Sequence, residues 1–219
     1  MKDLVIVGTG SLSEVAHDYF HEYTDYRVRA FSCHQDFKNE DEFHNLPVVA
    51  LENLEKHYLP DSVTLFVAVG YRKMNKVRQA IYENLKLRNY KFATFIDPNV
   101  KTWNSNSFGD NVFILENNVI QPYVTIGNNT ILWSGNHIGH HSLIGNHCFI
   151  SSHVVISGYC QIGDNSFIGV NATLHDGLII GNETLVGAGA IINRDTKERE
   201  VFVQKATDIF PRSSDRMNF

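Results

Sequence analysis

Eleven histidines occur in the 219 residues, and six of them fall between His137 and His175. Histidine titrates near neutral pH, so such a cluster can supply a general base that takes the proton of an attacking nucleophile. An oxyanion formed in the same step needs a donor, and a backbone N–H is often that donor. The run Asn136-His137-Ile138-Gly139-His140-His141-Ser142-Leu143-Ile144-Gly145 sets His140 and His141 side by side, directly after a glycine. His137 precedes an apolar residue and is expected to face outward. His147 and His153 are expected at the surface or at a subunit interface, and His175 is expected to be structural. Cys33, Cys148 and Cys160 show no CxxC or metal-ligand spacing, and the last two read as core packing rather than as nucleophiles.

A second chemically suggestive segment opens the chain. Leu4-Val5-Ile6-Val7 reads as a short buried strand that runs into Gly8-Thr9-Gly10-Ser11-Leu12-Ser13 and then into a helical stretch through Phe20. Glycines between a strand and a helix let the backbone approach a phosphate, and the helix N-terminus favours its negative charge. A second strand, Arg27 to Ser32, leads to Asp36. A third, Val63 to Val69, ends at Gly70-Tyr71, and the helix after it is expected to carry Arg72, Lys73, Lys76 and Arg78. Strands alternating with helices indicate a small parallel sheet with ligands at the strand C-termini. A plain packing domain without a ligand would show the same alternation.

What must position the histidines is a repeat of six residues. From Phe108, every sixth position is large and apolar: Ile114, Ile120, Ile126, Leu132 and so on to Ile192, fifteen in succession. Glycine often follows, and a smaller residue comes four positions on, as at Thr130, Ser142, Cys148 and Ala172. A period of six is neither helical nor strand alternation. It describes a chain that turns a corner every six residues and stacks each strand on the one eighteen residues away, a triangular prism with the large residues inside. The fold class expected is therefore mixed: a small α/β domain over 1–97, a left-handed parallel β-helix of about five coils over 98–197, and a tail over 198–219.

The charge is uneven: no Lys or Arg occurs between Thr102 and Asn193, and the formal net charge is −5. A nucleic-acid partner is not expected from such a chain. No apolar run approaches the ~18 residues of a membrane span, and the N-terminus reads as a strand rather than a signal peptide, so a cytoplasmic location is expected.

The apolar–glycine–x–x–small–x pattern resembles the hexapeptide-repeat acyltransferases. With the Gly-rich βαβ domain ahead of it, the layout resembles the sialic acid O-acetyltransferase family. Within that group it is most similar to bacterial N-acetyltransferases for nucleotide-linked 4-amino-4,6-dideoxy sugars of the bacillosamine, perosamine and viosamine type, which act in surface glycan synthesis. The resemblance implies a homotrimer and acetyl-CoA as cosubstrate, with no metal. It implies His140 as general base, with His141 standing where some relatives have an acidic residue. It places Gly10, Ser11, Leu12, Asp36 and Gly70 at the nucleotide sugar, and Gly158, Val170, Gly187 and Ala188 at acetyl-CoA. Phe149 stands where relatives can have a CoA-contacting histidine. The CoA phosphates would fall to Arg194, Lys197, Arg199 or Lys205, unless that cluster is only a solvated cap. Sugar O-acetylation is the alternative reaction, since the same base serves a hydroxyl. A γ-class carbonic anhydrase needs two zinc-binding histidines five residues apart, a spacing that this cluster lacks. A scaffold without activity would have no use for His140.

Overall fold

The computed structural model describes residues 2–217. The N-terminal domain consists of β1 (Lys2–Val7), α1 (Ser11–Tyr23), β2 (Tyr26–Cys33), β3 (Glu42–Phe43), β4 (Leu46–Ala50), α2 (Leu54–His57), β5 (Thr64–Val67), α3 (Lys76–Leu87) and β6 (Lys91–Phe92). They form one sheet in the order β3-β4-β2-β1-β5-β6, parallel except for the β3–β4 hairpin. Leu4, Val5, Ile6 and Val7 are all buried, as a central parallel strand covered on both faces requires. Gly8 follows at φ +135°, and a Cβ there would lie 2.6 Å from the Ala68 carbonyl oxygen, so the turn into α1 needs glycine. The Ser13 hydroxyl donates to that same carbonyl at 3.1 Å, which ties the loop to the end of β5.

From Phe95 the chain winds into the prism. Two-residue strands pair in parallel with those eighteen positions on, Phe113 with Ile131 and Phe149, then with Phe167. Three sheets result. The first, here the docked sheet, runs from Phe95–Ile96 through Phe113, Ile131, Phe149, Phe167 and Leu185 to Val201–Phe202. The second contains Val119, His137, Val155, Thr173 and Ile191, and the third Ser107, Thr125, Leu143, Gln161 and Ile179. The inward positions from Ile114 to Ile192 form one continuous buried core, with Cys148, Cys160 and Ala172 at the small positions. The corners use the left-handed region every sixth residue. Asn111, Asn129, His141, His147, Tyr159 and Asn165 all have φ between 53° and 60°. Asparagine and histidine tolerate that conformation better than most residues.

The N-terminal domain lies on the docked sheet. There the outward positions are Phe113, Ile131 and Phe149, which pack with Phe20, Phe66 and Phe95 instead of facing water. Helix α3 seals the corner between the third and docked sheets. Lys73, Met74 and Asn75 run left-handed (φ 52°, 52° and 63°), so the helix begins only at Lys76 and leaves Arg72 and Lys73 ahead of it. Arg78, grouped by sequence with exposed cations, is fully buried. Its guanidinium donates to the carbonyls of Asn129 (3.2 Å), His147 (2.9 Å), Cys148 (3.0 Å), Val69 (3.3 Å) and Gly70 (3.2 Å), and to Asn75 Oδ1 (3.2 Å). Burial pushes it down to about 9, which leaves it a cation at neutral pH. A buried charge without a carboxylate is stable here because all its donors meet acceptors.

Candidate functional site

The glycine loop borders two small pockets. On one side Ser11, Leu12 and Val15 of α1 face Gly70, Tyr71, Trp133 and Phe149 around a cavity of about 200 Å³. The N-terminal domain and the docked sheet therefore build it jointly. Gly10 caps α1: its carbonyl accepts from the N–H of Ser13 (2.8 Å), and no side chain caps the first turn. A Cβ on Gly10 or on Gly70 would meet nothing within 4 Å, so a ligand can approach both backbones closely. Orphan N–H groups at a helix start suit an anion. On the other side of the loop, Thr9, Cys33, Phe37, Lys38 and Glu42 line a cavity of about 190 Å³. Asp36 lies in the exposed turn Gln35–Phe37 after β2, beside that pocket rather than with Gly10 and Gly70. Lys38, which sequence reasoning passed over, is the cation of this second pocket.

His140 and His141 occupy the corner between the second and third sheets, the corner left open by the N-terminal domain, and both are exposed. The backbone N–H of His140 donates to Gln121 Oε1 at 2.8 Å. Its Nδ1 lies 3.1 Å from His141 Nδ1, so one ring donates and the other accepts. The His141 ring stacks between Tyr123 (4.5 Å) and Tyr159 (4.9 Å), and Tyr159 also meets the His140 ring edge-on at 4.9 Å. With Nδ1 engaged, Nε2 of His140 is left for chemistry. It faces Gly158 in the next coil, where a Cβ would lie 3.1 Å from Nε2 and 3.1 Å from Asp176 Oδ1. Any side chain at Gly158 would displace the ring or the carboxylate. Asp176 is the residue that sequence reasoning missed. The signal was its position, thirty-six residues or two coils beyond His140.

The other histidines divide. His147, expected at the surface or between subunits, is instead buried under α3. Its Nδ1 accepts from Asn129 Nδ2 at 2.9 Å, its ring packs on Tyr82, and burial pushes its pKa down. His175, expected to be structural, is exposed at the same corner as His140, and His153 is exposed on a different corner. Cys148 and Cys160 are buried, and burial pushes both thiols up, so neither is a nucleophile.

Val170, Gly187 and Ala188 share the corner between the docked and second sheets, with Val170 and Ala188 exposed one coil apart. Gly158 lies at the open corner, so within one chain it does not join them. Arg199 is engaged in ion pairs with Glu183 and Glu198, both at 3.2 Å, and Lys76 meets Glu183 at 2.7 Å. The candidate residues thus fall into three groups: the interdomain pocket, the His140 corner, and the Val170–Ala188 corner. In a triangular prism, the corner with His140 is the one opposite the docked sheet that lines the pocket.

The winding of the prism matches a known family. Residues 91–201, just over half of the chain, match the model of the GMPPB C-terminal domain. The chain belongs to that hexapeptide-repeat family. Residues 3–85 match the PglD N-terminal domain. Among solved structures, PerB from Caulobacter crescentus, in complex with CoA and GDP-perosamine, is 24% identical with a TM-score of 0.82 over 92% of this chain and 93% of its own. The acetyltransferase domain of PglB from Neisseria gonorrhoeae is 23% identical with a TM-score of 0.81 over 92% and 96%. WeeI from Acinetobacter baumannii is 15% identical with a TM-score of 0.77, again over 92% and 96%. These likenesses establish the two-part fold over nearly the whole length of each chain. No curated protein matches the sequence. Among the described residues, no helix is long and apolar enough to cross a membrane.

Proposed function

We propose that this chain is an acetyl-CoA-dependent N-acetyltransferase acting on a nucleotide-linked 4-amino-4,6-dideoxy sugar, with His140 as general base. The observation that carries the reading is the exposed, oriented His140 on a prism whose opposite face builds a pocket with the glycine loop. The similar structures agree in kind: PerB was solved with CoA and GDP-perosamine, and the PglB domain with acetyl coenzyme A.

The halves of the site are separated within one chain, so a neighbouring copy completes it. The outward positions support such a neighbour. Val119, Val155 and Ile191 on the second sheet and Leu143 and Ile179 on the third are exposed apolar side chains in regular rows, a surface that copies of the prism would cover. In a homotrimer, the partner subunit's His140 would enter beside Gly70 and Phe149, and the exposed corner of Val170 and Ala188 would flank the groove for acetyl-CoA. Gly10, Ser11 and Leu12 hold the sugar nucleotide through α1 N–H groups. Lys38 and Asp36 lie where the nucleoside end would reach. With no Lys or Arg along the prism from Thr102 to Asn193, the CoA chain is held by corner N–H groups. Its phosphates fall to Arg194, Lys197 or Lys205, while Arg199 is engaged by Glu183.

In the reaction the sugar amine attacks the thioester carbonyl. His140 Nε2 takes the amine proton, while Nδ1 and the backbone N–H hold the ring through His141 and Gln121. A backbone N–H at a corner stabilises the oxyanion. The C–S bond then breaks, the acetyl group stays on nitrogen, and the thiolate leaves to be protonated as free CoA. No covalent acyl-enzyme forms, since both prism cysteines are buried. The test is thiol release from acetyl-CoA with UDP-, dTDP- and GDP-linked 4-amino-4,6-dideoxy sugars and free sialic acid. Turnover on an amino sugar is expected. Turnover on sialic acid alone would replace N- by O-acetylation.

A further inference from the structure

We infer that the N-terminal domain carries a binding site for a zinc-class divalent ion, formed by His17 and Asp18 of α1 and His44 at the tip of the β3–β4 hairpin. One ligand atom from each of the three lies within 4.8 Å of the other two. The donors are two imidazoles and a carboxylate with no thiol, a set that suits zinc, nickel or cobalt. The donors converge from separate elements. Phe43 pairs with Leu46, so His44 and Asn45 alone make the hairpin turn, both left-handed at φ 50° and 58°. Two-residue turns of this hand favour Asn-Gly or Asp-Gly. The first position is instead a histidine, which tolerates the left-handed region and sets its ring beside that of His17 on α1.

The rings are also held in place. The His44 ring lies 5.3 Å from that of His17 and edge-on to Phe43 at 4.8 Å, while His17 packs on Phe31 at 5.8 Å. Two further polar groups surround the three donors. Glu14 Oε1 lies 3.3 Å from His44 Nε2, and His21 stacks parallel to His17 at 5.9 Å. Glu14 is placed to become a fourth oxygen ligand or to orient His44. A bound ion would clamp α1 and the hairpin together. The hairpin residues Glu42 and Phe43 line the pocket beside Thr9, so the clamp would fix one wall of that pocket. The site is in the N-terminal domain, apart from His140, and takes no part in acetyl transfer.

The test is calorimetric titration of ZnCl₂ into the EDTA-treated, dialysed full chain free of any polyhistidine tag. One equivalent should bind, and the melting temperature should rise with it. His17→Ala and His44→Ala should each weaken binding by about tenfold or more and abolish the thermal shift. His57→Ala, at the exposed end of α2, should change neither. Cobalt titrated into the same protein should develop a visible absorption band that is lost in His44→Ala. His44 is exposed and His17 half-buried, and circular dichroism should be unchanged in both variants, which shows that the fold survives each substitution. Absence of binding, or binding that His17→Ala and His44→Ala leave intact, would overturn the inference.

Discussion

His141 and His147 stand six residues apart in the same backbone conformation, each at φ 59°, on adjacent corners of one prism. Their fates are opposite. His147 belongs to a ladder in which Asn111 donates to Asn129 Oδ1 at 2.8 Å and Asn129 to His147 Nδ1 at 2.9 Å. Arg78 and Asn75 close it from outside, and Asn111 ties its other end to β5, accepting from the N–H of Val67 at 2.7 Å and donating to the Val67 carbonyl at 3.3 Å. His141 belongs to a column of rings, Tyr123, His141 and Tyr159, that no part of the chain covers among the described residues. The same turn geometry thus builds a rivet at one corner and an exposed histidine at the next. What decides between them is whether a second element of the chain arrives to desolvate the corner.

The largest expected effects separate the two corners by what they break. His140→Ala should lower turnover by about 10²–10⁴-fold, the range for a positioned general base, with the urea midpoint unchanged. His141→Ala, which leaves the His140 ring but removes its partner, should lower turnover less. Arg78→Ala should do the reverse of His140→Ala. Removing the guanidinium orphans buried carbonyls, at about 1–3 kcal/mol for each one left unpaired, read as a shift in the urea midpoint. A third variant, His147→Ala, orphans the Asn129 amide and opens space beneath α3, for about 1–3 kcal/mol. An activity loss in His147→Ala without a stability loss would erase the distinction between the corners.

A smaller effect is a pH dependence confined to the buried corner. Burial holds His147 below its ordinary value of 6.5 in the folded chain. The unfolded chain therefore takes up the proton first as pH falls. This site should leave stability constant above 6.5, lower it as pH drops from there through the folded value, and level off below that. In denaturation series across pH, the slope should shrink in His147→Gln. A slope of the opposite sign would mean that the nearby Glu83 carboxylate outweighs burial.

The prism was legible because its cause is local. Each inward residue is large for the same reason as the one six before it, and a glycine often follows it. The Gly8–Ser13 loop was legible for the same reason. Arg78 was not, because its role depends on carbonyls fifty-one and seventy residues away, and a lone arginine in a basic run reads as surface. The same holds for His147, whose cover is Tyr82 of α3. Asp176 was missed because sequence reading followed one coil, from His140 to Gly158, and stopped where a glycine left the next residue in view. Gly158 and Val170 turn different corners of one chain, which hexad position alone does not reveal.

The central claim is that the pocket of one chain works with the His140 of another. Ser11→Trp should fill the interdomain pocket and His140→Ala should remove the base, leaving each homo-oligomer inactive. Co-expressed with different tags and purified through both, the two variants should form mixed oligomers in which some interfaces pair an intact pocket with an intact His140. Thiol release should then reappear as a sizeable fraction of the wild-type rate. Mixed oligomers no more active than either variant alone would contradict the account and place the pocket and the base of one chain in separate functions.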